Sequence, residues 1–461
     1  MKIRSLIGDR AFYRRLFSVL IPILIQNLIT NFVSLLDNIM VGQIGTEQMS
    51  GVAIVNQLLF VFNLCIFGGL AGVGIFTAQY FGAGDDEGVR HTFRAKLYVA
   101  LAAVGLFALI FLRRGGALIS LFLHEGQEGL DLAATLGFAK EYLAVALLQI
   151  LPFAISQVYS GTLRETGQTV VPMRAGVAAV FVNLFFNFVL IFGKLGFPAL
   201  GVVGAAAATV IARLVELFIV VLWAHRRGNC PYLIGALRSL RVPAPLARRM
   251  LRLGTPLLLN EVLWASGMTT LNQCYSLRGL EVISALNISS TVSNLFFCAF
   301  FATGNAISIL IGQLLGALEL ERAVDEDRKL IAFAVSLSVL VGGVMACAAP
   351  LIPEIYNTTP GVKALAAELL LVASAAMPMN AFANSCYFTL RSGGKTGITF
   401  LFDSGFLWCV SVPAAFLLSR FTALPIMPLY TIVYALDLVK CAVGFIFLRR
   451  RAWVNNIVSG F

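Results

Sequence analysis

Of the 461 residues, 59% are apolar and 12% are charged, and the mean hydropathy is +0.87. A chain of this length with so little charge cannot cover a water-facing surface, which excludes a soluble globular protein. The net charge of +11 would suit a nucleic-acid partner in a soluble protein. In a membrane chain Lys and Arg instead collect in cytoplasmic loops, so no nucleic acid is expected. The eight cysteines are scattered without a CxxC, and His91, His124 and His225 are far apart. That pattern argues against a metal centre and a disulfide framework.

A hydrocarbon core about 30 Å thick requires roughly 20 apolar residues per helix. The basic N-terminus (Lys2, Arg4, Arg10, Arg14, Arg15) leads into a first apolar run, 16–41, too long for a cleavable signal. Further runs follow at 52–78, 95–113, 133–160, 170–192 and 201–224. After a basic stretch come 251–274, 283–311, 330–351, 364–389, 397–419 and 426–448. The runs are continuously apolar, not alternating, so they predict twelve helices instead of barrel strands. With both termini on one side, 25 of the 34 Lys and Arg fall there, 7 on the other face and 2 inside spans. This asymmetry predicts a multi-pass cell-membrane protein with both termini in the cytoplasm.

The chain repeats itself. A shift of 234 residues brings Pro22 onto Pro256, Asn38 onto Asn272, Gly45 onto Gly279, Gln79 onto Gln313, Gly82 onto Gly316 and Arg94 onto Arg328. Later the shift is 227, and LRETGQT at 163–169 falls on LRSGGKT at 390–396. The domains predicted from this are a six-helix lobe over 1–225, a cytoplasmic linker over 226–250 and a second six-helix lobe over 251–461. Six is even, so the two copies cross the bilayer in the same sense, as in transporters built from parallel repeats. The linker's arginines read as an orientation and headgroup device.

Ionisable residues inside spans cost about 2.5–3.5 kcal/mol on insertion scales, and each requires a reason. Asp37 and Glu261 are not repeat equivalents: Glu261 falls on Asn27, and Asp37 on Leu271. Asp37 reads as a proton or sodium site, since no basic residue of its own helix can pair with it; Glu261 reads as a second candidate. Arg213 with Glu216, and Asp437 with Lys440, stand three apart, which predicts internal neutralisation. Asn183 and Asn187 share a helix face at i, i+4, with Thr209 in the next span; such amides bridge helices or coordinate an ion. Asn27, Asn380 and Asp403 are the candidates for a substrate cavity. GGKT at 393–396 lacks the upstream glycine of a phosphate loop, and no catalytic triad or zinc motif occurs.

The motif DNIMVGQIG after Pro22, the sequence TAQYFGAGDDEGVR, the run NLFFNFVLIFGKLGFPALGVVGAAAAT and the duplicated LRxxGxT resemble the multidrug and toxic compound extrusion family over essentially the whole chain. The resemblance implies an all-α integral membrane protein, with two parallel six-helix repeats in a V around a central cavity. It implies export of amphipathic organic cations against an H+ or Na+ gradient, with no other cofactor, no resident metal and no obligate protein partner. Asp37 matches the family's acid in the first helix, and Asn183 and Asn187 its polar pair in the fifth, where one branch has Asp in place of Asn187. Thr209 is a looser match, and Glu261 stands closer to Pro256 than its counterpart in another branch. Asn380 replaces an acid of that branch, which weakens a sodium site in the second lobe and leaves the coupling ion open, H+ or Na+, with Asp37 or Glu261 as the residue that would take Na+. Two rival functions follow from the sequence: a lipid-linked oligosaccharide flippase, which needs more helices and a cationic cavity, and a membrane enzyme such as an acyltransferase, which needs a catalytic cluster at one interface.

Overall fold

The computed structural model describes residues 6–123, 131–226 and 228–459. Lys2, Arg4, His124 and Arg227 lie outside the described residues. Among the described residues the chain is built from twelve long helices. The first six are α1 (Arg10–Gly42), α2 (Thr46–Gly82), α3 (Asp86–Ser120), α4 (Leu132–Glu165), α5 (Val170–Phe192) and α6 (Gly201–His225). The second six are α7 (Ala244–Ser276), α8 (Leu280–Gly316), α9 (Leu320–Ala348), α10 (Pro360–Ser392), α11 (Thr396–Phe421) and α12 (Ile426–Arg449). Eleven of them are long and apolar enough to cross a membrane. The exception is α7, whose first turns hold Arg248, Arg249 and Arg252 and whose middle holds Asn260 and Glu261.

The helices run beyond the apolar stretches that predict them. Hydropathy marks the part immersed in hydrocarbon, whereas polar first turns continue the helix into the interface. At the start of α3, the Asp85 carboxylate accepts from the Gly88 N–H at 2.9 Å, a side-chain cap on an otherwise orphaned donor.

The internal repeat is visible in the elements. The helices α1 and α7 are both 33 residues long, α2 and α8 both 37, and Pro22 and Pro256 occupy the same place within their helices. Gly84 follows α2 at φ +72°, and its equivalent Leu318 follows α8 at φ +60°. A leucine in this left-handed region carries a penalty of about 1–2 kcal/mol that the glycine avoids.

Two compact units divide the chain, and they do not follow the repeat boundary. The first comprises Ile25–Thr77 and Asp85–Met250; the second comprises Met1–Leu24, Ala78–Gly84 and Leu251–Phe461. In the second unit the end of α2 crosses the end of α8 at repeat-related glycines. A Cβ on Gly82 would lie 1.9 Å from the Gln313 carbonyl oxygen, and one on Gly316 would lie 1.9 Å from that of Gln79. Gln79 is fully buried there, its amide donating to the carbonyls of Ser392 (3.0 Å) and Asn455 (3.2 Å) and accepting from the Ile457 N–H (2.7 Å).

The linker is shorter than predicted. The helix α7 begins at Ala244, inside the predicted 226–250 loop, and the remainder folds onto the first unit. Arg90 donates to the Tyr232 carbonyl (3.0 Å), and Arg94 to those of Ala236 (2.8 Å) and Arg241 (3.1 Å). Cys230, Leu233 and Ala236 are fully buried. These guanidinium contacts satisfy loop carbonyls that would otherwise be buried unpaired.

Candidate functional site

In the first unit, α1 brings Asp37 to the polar face of α5. Asn187 Nδ2 donates to Asp37 Oδ1 at 2.5 Å and to Asn183 Oδ1 at 3.1 Å. Asn183 Nδ2 donates to Thr209 Oγ1 on α6 (3.3 Å), which donates in turn to the Ala205 carbonyl (3.1 Å). The i, i+4 spacing of Asn183 and Asn187 is what allows one helix face to supply two links of this chain. Such chains polarise one another in a low-dielectric interior. Asn187 Oδ1 is buried and unpartnered, leaving an acceptor beside the carboxylate. Among the described residues Asp37 has no ion-pair partner.

Asp37, Asn187 and Thr209 open onto a cavity of about 450 Å³ lined also by Asn56, Asn63, Tyr142, Gln149 and Arg213. Phe60, Phe62 and Phe153 supply its apolar wall. Arg213 is committed to Glu216 at 2.7 Å, the spacing-predicted pair, and lies over the Phe153 ring at 5.1 Å. Counting that pair as neutral, the cavity carries one net negative charge when Asp37 is ionised. Asn27 is half-buried on α1 and does not line the cavity. Ten residues of helix separate it from Asp37, about 15 Å along the axis.

Sequence reasoning did not single out Asn56, Asn63, Tyr142 or Gln149. Each pair stands seven apart in its helix, on one face, and Tyr142 donates to Asn56 Oδ1 at 3.2 Å. Polar side chains at that spacing inside apolar spans were the available signal. A second overlooked group is Lys96, 0% exposed, which pairs with Glu165 and donates to Thr162 Oγ1 at 3.1 Å. Gly74 makes room for it: a Cβ there would lie 2.2 Å from the Glu165 carboxylate.

The second unit holds a different cluster. Lys440 Nζ donates to Asp403 Oδ1 at 2.7 Å, and Asn260 Nδ2 donates to Asp403 Oδ2 at 3.1 Å. Ser404 bonds Asn260 through both its N–H (3.2 Å) and its hydroxyl (2.7 Å to Oδ1). The predicted Asp437–Lys440 pair is not formed, because the carboxylate of α11 outcompetes the neighbour on α12. Leu401–Gly405 and Leu407–Ser411 of α11 are wound as π-helical turns, which change the face that Asp403 presents. Glu261 also lies in this unit, half-buried, with Arg391 and Asp403 as its charged neighbours. Asn380 is half-buried on α10 and does not enter the cluster. The candidates Asp37 and Glu261 therefore belong to different units, and Asn27, Asn380 and Asp403 do not line the described cavity. Among the described residues no group of three or more His, Cys, Asp or Glu is placed to hold a metal ion.

Twelve helices in two repeats, with a polar cavity among apolar spans, match the architecture of membrane transporters built from parallel repeats. The chain belongs to the MatE family, whose pattern matches residues 22–189 and 256–436. It is 24% identical to the probable multidrug resistance protein NorM of Thermotoga maritima, over 96% of this chain and 94% of that one. It is 27% identical to the protein of the same name from Halalkalibacterium halodurans, covering 92% and 91%. A crystal structure of MATE in the bent conformation matches the fold with a TM-score of 0.86 at 20% identity, over 98% of this chain and 97% of that one.

Proposed function

We propose that this transporter is a secondary active multidrug exporter of the cell membrane, moving amphipathic organic cations out against an inward H+ or Na+ gradient. The observation that carries the reading is Asp37, a carboxylate lining the cavity, held by the Asn187 amide and paired with no base among the described residues. A proton or sodium ion at Asp37 removes the cavity's net negative charge and weakens its hold on a cationic substrate. The substrate's departure frees the carboxylate in turn, so each ligand binds best where the other is absent. This competition biases the transport cycle only by the difference in affinity of each ligand for the two states. Asn187, Asn183 and Thr209 orient the carboxylate, and the phenylalanine wall takes the apolar part of the substrate through ring faces. The functional halves in this reading are the repeats, 1–225 and 251–461, joined by 226–250, with both termini cytoplasmic.

The cavity's charge also weighs against a flippase for lipid pyrophosphates. Its guanidinium, Arg213, is occupied by Glu216, and the remaining charged group at the cavity is acidic.

The test is efflux of a fluorescent organic cation from proteoliposomes under a pH gradient and, separately, a sodium gradient. Wild-type protein is expected to respond to one gradient. The folded, inserted Asp37→Asn variant is expected to lose that response. Equal gradient-driven efflux in both proteins would remove Asp37 from the mechanism.

A further inference from the structure

The Asp403–Lys440 pair sits in the membrane with a spare acceptor beside it. Lys440 is salt-bridged to Asp403 on α11, while Asp437 stands one turn away on its own helix. Among the described residues Asp437 makes no ion pair. The i, i+3 spacing puts it within reach of the same ammonium. Both helices are irregular here. Leu401–Gly405 and Leu407–Ser411 of α11 are π-helical, and α12 breaks at Leu436, between Ile426–Ala435 and Asp437–Arg449. A departure from regular helix at membrane depth costs backbone hydrogen bonding, and it is kept where a segment must rearrange.

We propose that Asp403, Lys440 and Asp437 form an ion-pair switch, in which a monovalent cation binding at Asp403 sends the Lys440 ammonium across to Asp437. In the proton case, Asp403 gains an O–H bond and loses its ion pair, and Lys440 keeps its own proton and charge throughout. With sodium, the ion replaces the ammonium as the carboxylate's counter-charge. In either case the Lys440 ammonium leaves the carboxylate of α11 for that of its own helix α12, the incoming cation takes its place at Asp403, and the tie between the two helices is released. Asn260 and Glu261 from α7, Tyr387 and Arg391 from α10, and Lys440 and Asp437 from α12 surround Asp403. Asn260 holds the other carboxylate oxygen and Ser404 holds Asn260, so the carboxylate stays in place while its cation changes. The inference rests on the reading of the chain as a cation-driven exporter, and adds a second point at which the cation acts, in the second unit.

Infrared difference spectra of the purified protein in liposomes test it without any substrate. On acidification, or on adding sodium, the wild type is expected to show a perturbed Asp403 carboxyl and a simultaneous change at the Asp437 carboxylate. Asp403→Asn alone mimics the neutral carboxyl and leaves Lys440 to Asp437 from the start, so the control is Asp403→Asn with Lys440→Met, which removes both charges. That variant is expected to lose both signals, and Asp437→Asn to lose the second alone. Superimposable spectra from wild type and double variant under both cations would overturn the switch. In transport, Asp437→Asn keeps the observed ion pair and is expected to slow gradient-driven efflux on the order of tenfold; a wild-type rate at every pH would overturn the switch. Wild-type signals in a protein that exports no organic cation would support the switch and reject the export reading.

Discussion

The two units keep an acid in the membrane by different means. In the first, Asp37 is balanced by a chain of neutral donors, Asn187, Asn183 and Thr209. In the second, Asp403 is balanced by a lysine and an amide. Duplication preserved the lengths of the first two helices of each copy, their prolines and the crossing glycines, but not the acids inside the membrane, Asp37 and Asp403, so the repeat duplicates a scaffold and the chemistry of each site is particular to its copy. An amide-held carboxylate remains free to take a cation. A lysine-held one already has a cation and must exchange it.

The sharpest way to break this contrast is to remove one partner of a charged pair. Lys440→Met leaves the half-buried Asp403 without its counter-charge and is expected to destabilise the protein, by at most about 3–5 kcal/mol, recovered largely by adding Asp403→Asn. Thermal unfolding in detergent, read by intrinsic fluorescence, checks both. Lys96→Met is expected to act similarly through Glu165, with recovery by Glu165→Gln. Asn187→Ala comes next. It removes the charge-assisted hydrogen bond to Asp37, worth about 1.5–3 kcal/mol, and is expected to weaken substrate competition at least about tenfold, with a loss of stability smaller than that of Lys440→Met. A titration of substrate affinity against cation concentration measures that. The smallest expected effect concerns the scaffold: Leu318→Gly relieves a left-handed leucine and is expected to stabilise by up to about 1 kcal/mol, visible as a small rise in unfolding temperature. Outside the membrane, burial pushes the Cys230 thiol up from its ordinary range. Cys230 is therefore expected to resist alkylation at pH 8 in the folded protein; rapid labelling would contradict the docked linker.

Much of this was legible in the chain because lipid makes departures from apolarity expensive. Twelve apolar runs, Pro22 with Pro256, and the acid and amides at 37, 183 and 187 all stood out for that reason. The helix ends were less legible, since polar turns such as Asp85–Glu87 extend a helix beyond the hydrocarbon without a hydropathy signal. The cavity's remaining wall was missed because Asn56, Asn63, Tyr142 and Gln149 are uncharged and seven apart, a pattern that matters only once two helices meet. The partner of Lys440 was misassigned because local spacing favours Asp437, while the π-helical turns of α11 that bring in Asp403 leave no mark in the residue pattern. The linker's basic residues suggested headgroups. What holds the linker is Arg90 and Arg94 of α3, a contact 142 residues distant in sequence.

The central claim is that substrate and coupling cation compete at Asp37, and the most direct measurement is cation release on substrate binding. Purified protein in lightly buffered detergent, with a pH-sensitive dye or bound radioactive sodium, is mixed with an organic cation. The account predicts release from the wild type, none from Asp37→Asn, and reduced release from Asn187→Ala. Equal release from wild type and Asp37→Asn would place the exchange elsewhere and contradict it.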